Sequence, residues 1–243
     1  GGDGNDILEG GAGNDTYILA AGDGEAGPLG EVETIEDTAG SDTLRLEGSS
    51  PAALNVYAAN GDWLVIDYGA TDRVAIVNGM GGAIERIAVG GETLTYAQFV
   101  GRYAATAQVG TNAQGDAVAL GGSAADSLAT SGGHATLSGG RGNDTLAAGG
   151  NDNTFVYATG DGTDHVSTGG SGNVLRLGPG LAAADLKLGL GSLALQVGSD
   201  PNDLIHFDSF DPANALATHP IDSIEFDDGT TMTELARLVE QDP

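Results

Sequence analysis

The chain has 243 residues, of which 42 are glycine and 40% are hydrophobic. That is enough for one large domain or two small ones with a sizeable core, and it favours turns and β structure over helix. Thirty-five acids against 8 basic residues give a net charge of −27, a surface that repels nucleic acid and anionic membranes and attracts cations; without cysteine there are no disulfides or thiolate metal sites, and without an apolar run of about 18 residues no membrane span is expected.

The first element, Gly1 to Ile18, reads as two rows of nine, GGDGNDILE over GGAGNDTYI. Glycine recurs at row positions 1, 2 and 4, aspartate at 6 and a large apolar residue at 8. No N-terminal signal peptide is expected; the chain begins in phase with this repeat, so a piece of something longer is expected. Glycines tolerate positive φ and close backbone approach, so positions 1 to 5 predict a tight turn. Position 8 then lies in a short strand facing inward. Two rows make one flattened coil of 18 residues, and stacked coils pair as parallel strands about 4.8 Å apart. Aspartates at position 6 of stacked turns come close together, which costs energy unless a cation lies between them. Carboxylates plus turn carbonyls in a flexible loop suit Ca²⁺, which takes about 6–8 oxygen ligands.

Further along, GDGEAG (22–27) fits GxGxxG formally, but no crossover helix follows, and it reads as row glycines plus a loop. EAGPLGEV (25–32) is expected to be a surface loop, because Gly27-Pro28 breaks a strand. SDTLRL (41–46) carries Asp42. Leu54–Tyr57 and Trp63–Tyr68 flank Asn60-Gly61, a hairpin signal, and Ile87–Val89 and Thr93–Thr95 flank Gly90-Gly91. Thr95 and Gln98 form a capping box before the helical stretch AQFVGRY.

The rows return at GGSAADSLA (121–129), TSGGHATLS (130–138), GGRGNDTLA (139–147) and AGGNDNTFV (148–156). The apolar side chains Leu8, Tyr17, Leu128, Leu137, Leu146 and Phe155 are all expected inward. After Tyr157 and Ala158, TGDGTDHVS (159–167) resumes the row. Gly1–Gly24 aligns without gaps on Gly139–Gly162, a displacement of 138, and SDTLRL aligns on GNVLRL (172–177) at 131, so the first copy carries seven extra residues. IERIAVGGETLTYAQFV (84–100) likewise parallels IDSIEFDDGTTMTELARLV (221–239), with a turn at Asp228-Gly229 and a capping box at Thr231 and Glu234. The reading is an internal duplication in an all-β protein: two short parallel β-roll segments (1–48 and 109–180), each followed by an antiparallel β segment (49–108 and 181–243), the last with a short C-terminal helix.

Alternate rows turn on opposite edges of a coil. In the second copy the odd rows place Asp126, Asp144 and Asp164 at position 6, all on one edge. The even rows offer Ala135, Asn153 and, in a degraded sixth row, Val174. A one-sided calcium ladder is expected there. In the first copy Asp6 and Glu33 fall on one edge, and Asp15 and Asp42 on the other. The turn glycines Gly2, Gly4, Gly11, Gly13, Gly140, Gly142, Gly160 and Gly162 complete the candidate metal set through their carbonyls.

These rows are the GGxGxDxUx nonapeptide, and the chain resembles the RTX family of bacterial secreted proteins, which includes toxins, adhesins, proteases and lipases. The resemblance implies a parallel β-roll that folds on meeting extracellular calcium after type I secretion. The hairpin segments resemble, less specifically, the β domains associated with such calcium-binding rows. The implied role is a calcium-dependent tail, spacer or cap of a larger secreted protein. An adhesin module gripping cell-surface glycan or protein through Tyr57, Trp63 and Tyr68 is the alternative.

No catalytic role is expected. No GxSxG elbow, HExxH or EF-hand pattern occurs, and His134, His165, His206 and His219 share no ligand-like spacing. Three Asp-Pro steps, at 200–201, 211–212 and 242–243, are read as turns.

Overall fold

A computed structural model describes residues 1–25, 32–189, 194–208 and 220–233. The chain divides into two compact units, Gly1–Val118 and Ala119–Pro243, so the sequence boundary at 108/109 lies N-terminal to the division. Most of the insertion 25–32 lies outside the described residues, as do Asp211-Pro212, Asp242-Pro243, His219 and the expected C-terminal helix.

In the second unit each coil contributes one strand to each of two sheets. Ser127–Thr130, Thr145–Ala148, Thr163–Thr168 and Leu204–Phe207 stack in parallel, with Leu128 beside Leu146 and Leu146 beside Val166. Thr136–Ser138, Thr154–Tyr157, Val174–Leu177 and Ser223–Glu225 form the second parallel stack, with Leu137 beside Phe155 and Phe155 beside Leu175. The position-8 side chains therefore form the core: Leu128, Leu137, Leu146, Phe155, Val166 and Leu175 are all buried, each stabilising by about 2 kcal/mol relative to exposure. The step between coils is 18 residues at first and becomes 20 once Tyr157 and Ala158 are inserted. Both extra residues are buried.

The first unit repeats the plan with fewer coils. Ile7–Glu9, Glu33–Glu36 and Arg73–Ile76 run parallel in one sheet, and Thr16–Ala20, Thr43–Glu47 and Arg86–Val89 in the other. Tyr17 is buried, whereas Leu8 is only half-buried. The coil step here is 27 residues, seven more than the 20 of the later step in the second unit, which matches the seven extra residues of the first copy.

The hairpins are not a separate layer. Asn55–Ala59 pairs antiparallel with Trp63–Asp67, which pairs antiparallel with Arg73–Ile76, the last strand of the parallel stack. In the other sheet Glu92–Thr95 turns back on Arg86–Val89. The second unit does the same with Leu186–Gly189 and Ala194–Val197 on Leu204–Phe207, and Thr231–Thr233 on Ser223–Glu225. These antiparallel strands cover the growing end of each roll, where bare parallel strands would otherwise present unpaired N–H and C=O groups. Asn60 and Gly61 both adopt positive φ, 50° and 93°, as the tight hairpin turn requires.

The helix spans Tyr96–Tyr103. The Thr95 side chain accepts from the Gln98 N–H, the Gln98 side chain accepts from the Thr95 N–H, and Ala97, Phe99 and Val100 are buried. Thr231 differs from expectation: it opens a strand opposite Glu225 and does not cap a helix.

Candidate metal centre

The turns between the two sheets hold the acids. On one edge of the second unit, Asp126, Asp144 and Asp164 stack in consecutive coils. The Asp126 N–H donates to Asp144 Oδ1 at 2.7 Å, and the Asp144 N–H donates to Asp164 Oδ1 at 3.0 Å. One oxygen each of Asp144 and Asp164 thus ties neighbouring coils together. The other oxygens, Asp144 Oδ2 and Asp164 Oδ2, are buried with no hydrogen-bond partner. A buried anionic oxygen without a partner is costly unless a cation meets it.

The first glycine of the row explains where those oxygens point. A Cβ on Gly139 would collide with Asp144 Oδ2, so position 1 of this row is glycine because the Asp144 carboxylate folds over it. The glycines at positions 2 and 4 have a different reason. Gly2, Gly4, Gly11, Gly13, Gly140, Gly142, Gly160 and Gly162 all adopt positive φ, from 77° to 140°, where a side chain would be strained. Some of their carbonyls are already engaged: Gly4 O accepts from the Gly24 N–H, and Gly162 O accepts from the Leu204 N–H and the Tyr157 hydroxyl.

Burial governs the electrostatics. It raises the Asp144 carboxyl to about 6 and the Asp164 carboxyl to about 8, with the charge of the neighbouring aspartate adding to the rise. Asp161, which is 8% exposed, is raised by burial to about 8, with the nearby charge of Asp203 adding to it. These folded values lie above those of the unfolded chain. The contribution of these carboxyls to the stability of the calcium-free roll is therefore fully present below the ordinary aspartate range and is lost as pH rises through about 6 to 8. A cation that takes these carboxylates as anions displaces their protons. Calcium binding at pH 7 should release about one to two protons, read as a difference in calorimetric heat between buffers of low and high ionisation enthalpy. Equal heats in the two buffers would contradict this.

The opposite edge is built differently. Ala135, Asn153 and Asn173 stack there: the Ala135 N–H donates to Asn153 Oδ1 at 3.1 Å and the Asn153 N–H to Asn173 Oδ1 at 3.2 Å. The sixth-row position belongs to Asn173 and not to Val174, which pairs with Thr154 one residue further on. The Asn153 Nδ2 group donates to Gly149 O, Gly150 O and Asn173 Oδ1 at 3.0, 3.3 and 3.0 Å. The amide fills the turn and leaves no buried carboxylate oxygen bare.

The first unit carries acids on both edges. The Asp6 N–H donates to Glu33 Oε2 at 2.8 Å, and the Asp15 N–H to Asp42 Oδ1 at 2.7 Å. Asp42 in turn donates its N–H to Glu85 Oε2 at 2.6 Å. A Cβ on Gly1 would lie 2.7 Å from Asp6 Oδ2 and 2.8 Å from Glu33 Oε1, so these two carboxylates converge over that glycine. Glu33 is fully buried, and burial raises its carboxyl. Glu33 Oε1, Asp15 Oδ2 and Asp42 Oδ2 are buried without partners.

Glu85, Asn173, Asp161 and Asp203 were not singled out by the row pattern. Asp203 is buried, and both its oxygens accept from the Gly160 N–H. It lies beyond the glycine rows, on the strand-bearing segment that caps the stack, and only the sheet pairing brings it to this turn. Asp161 did have a signal, at position 3 of its own row.

The two units' row segments match the family described as RTX calcium-binding nonapeptide repeat (4 copies), at residues 1–25, 120–155 and 129–164. No curated protein matches the chain. Among solved structures it is similar to the extracellular lipase LipA from Serratia marcescens, at 19% identity and a TM-score of 0.36, over 87% of this chain. The chain spans 37% of the length of that lipase chain. The matched rows, with their stacked acids and parallel strands, are RTX calcium-binding nonapeptide repeats forming a β-roll.

Proposed function

We propose that this chain is a calcium-coupled folding module of a larger secreted protein, serving as its tail, spacer or cap. The observation that carries this reading is the distribution of bare oxygens. Among the described residues, Asp15, Glu33, Asp42, Asp144 and Asp164 each hold one buried carboxylate oxygen without a hydrogen-bond partner; Asp15, Asp42 and Asp144 lie between strands of the two rolls, and Glu33 and Asp164 in the first two residues of theirs. Ca²⁺ would be held by these carboxylates with turn carbonyls, and would offset their negative charge. Secretion by a type I route is part of the proposal. A strongly acidic chain that folds only at extracellular calcium levels stays extended inside the cell, where a transporter needs an unfolded substrate.

The adhesin alternative has less to rest on. Tyr68 is 1% exposed and its hydroxyl donates to the Asp23 carbonyl. Tyr57 and Trp63 are half-buried, with Arg73 over the Tyr57 ring.

Equilibrium dialysis against calcium, with magnesium as the control, tests the module reading. Several calcium ions should be retained per chain at millimolar calcium, and magnesium should be retained poorly, because it demands a stricter octahedron and keeps its waters. No retained calcium at that concentration would remove the reading.

A further inference from the structure

In one turn of the first unit a third carboxylate joins the usual pair. Asp37 opens the row segment DTAGSD (37–42), in the place that four of the rows give to glycine, at Gly1, Gly10, Gly121 and Gly139. The register of Ala12 with Ala39 and Gly13 with Gly40 sets Asp37 over Gly10 of the preceding coil. Asp37 is 9% exposed, its Oδ1 accepts from the Thr38 N–H, and its Oδ2 accepts from the Tyr17 hydroxyl. Tyr17 is itself buried, at the row position given to leucine, phenylalanine or valine in the second unit. The phenol thus orients the extra carboxylate.

Carboxylate oxygens of Asp15, Asp37 and Asp42 all lie within 4.8 Å of one another. An acidic cluster alone would say little, because exposed acids often gather without a ligand. Here two further observations point to one. Asp42 is fully buried, and its Oδ2 has no hydrogen-bond partner, as is also true of Asp15 Oδ2. A Cβ on Gly10 would lie 2.7 Å from Asp37 Oδ2 and 2.8 Å from Asp15 Oδ2, so the oxygens close over a glycine that leaves room for nothing larger than hydrogen.

We infer that Asp15, Asp37 and Asp42, with Asp37 held by Tyr17, form a three-carboxylate cation site distinct in class from the two-carboxylate gaps of the second unit. This inference rests on the calcium reading above and adds a ranking within it. Three carboxylates carry a charge of −3 and retain a net negative charge around a divalent ion. Charge count is a main lever on the affinity of oxygen-ligand calcium sites, so this site fills first as calcium rises. For the same reason it accepts a trivalent lanthanide more readily than the other gaps do.

The test combines calcium calorimetry with terbium luminescence excited through the aromatic side chains, on the whole chain and its variants Asp37→Asn, Asp37→Gly and Tyr17→Phe. The wild type should show one tightest calcium site. Asp37→Asn should weaken that site on the order of 10- to 100-fold and leave the remaining sites in place. Asp37→Gly, which places there the residue found at Gly1, Gly10, Gly121 and Gly139, should do the same. Tyr17→Phe keeps every carboxylate, so it reports even if the Asp37 variants fold poorly. It should lower the terbium emission that saturates first. Calcium isotherms of either Asp37 variant that superimpose on the wild type overturn the inference and leave the calcium reading standing, as does unchanged first-phase emission in Tyr17→Phe. A wild type that binds no calcium overturns both.

Discussion

In excess chelator at pH 8 the chain should lose most of the far-ultraviolet circular dichroism of its parallel coils, and millimolar calcium should restore it. The reason lies in what each coil contains. An 18-residue coil buries two large position-8 side chains, such as Leu146 and Phe155, which is too little to offset ordering that length of backbone. Against it stand stacked acids whose free oxygens, at Asp144 and Asp164, are sealed from water. Leaving a buried carboxylate charged and unpaired costs several kcal/mol. Protonation relieves the same repulsion, so at pH 5, below the raised values of about 6 and 8 for Asp144 and Asp164, the chelated chain should recover part of its signal. The capping hairpins have a conventional core in Leu64, Ile66, Tyr68, Met80 and Phe99, all buried, and should keep residual structure when the coils melt. Magnesium at equal concentration should substitute poorly. Identical spectra in chelator and in calcium at pH 8 would show that the coils fold without metal.

The second large effect is an asymmetry between the edges of the second roll. Asp144 lies between two gaps: its Oδ1 accepts from the Asp126 N–H, and its own N–H donates to Asp164 Oδ1. Asp144→Asn should therefore remove two calcium ions from the binding stoichiometry and lower the melting temperature in calcium by on the order of 5–10 °C. Asn153→Ala touches the opposite edge. It should leave the calcium stoichiometry unchanged, because the Asn153 amide already occupies the carbonyls of Gly149 and Gly150. It should still cost about 1–3 kcal/mol, because the buried Ala135 N–H loses its acceptor, Asn153 Oδ1. Isothermal titration of both variants, with a thermal melt of each, separates the two roles. Asn153→Ala losing as much calcium as Asp144→Asn would mean that the asparagine edge binds metal and that the ladder is two-sided.

The nine-residue period determined a great deal by itself. Glycine at positions 1, 2 and 4 dictated the turn, the apolar residue at 8 dictated the inward strand, and the regular 18-residue step dictated that Asp126 and Asp144 would stack. Asn60-Gly61 and the Thr95–Gln98 box were equally legible, because a tight turn and a helix cap are decided by a few adjacent residues. The tertiary structure decided what depends on distant chain. Whether Asn173 or Val174 completed the even edge turned on how the two buried insertions, Tyr157 and Ala158, shifted the stack. The hairpins could be read as hairpins, but not as continuations of the parallel sheets, because nothing local specifies that Arg73–Ile76 pairs with Glu33–Glu36. Asp37 beside Tyr17, Glu85 behind Asp42 and Asp203 at Gly160 are likewise products of sheet register. A row pattern records which residues share a turn. It does not record which turn the next pass of the chain will bring against it, and that is set by loop length and by packing of the buried face.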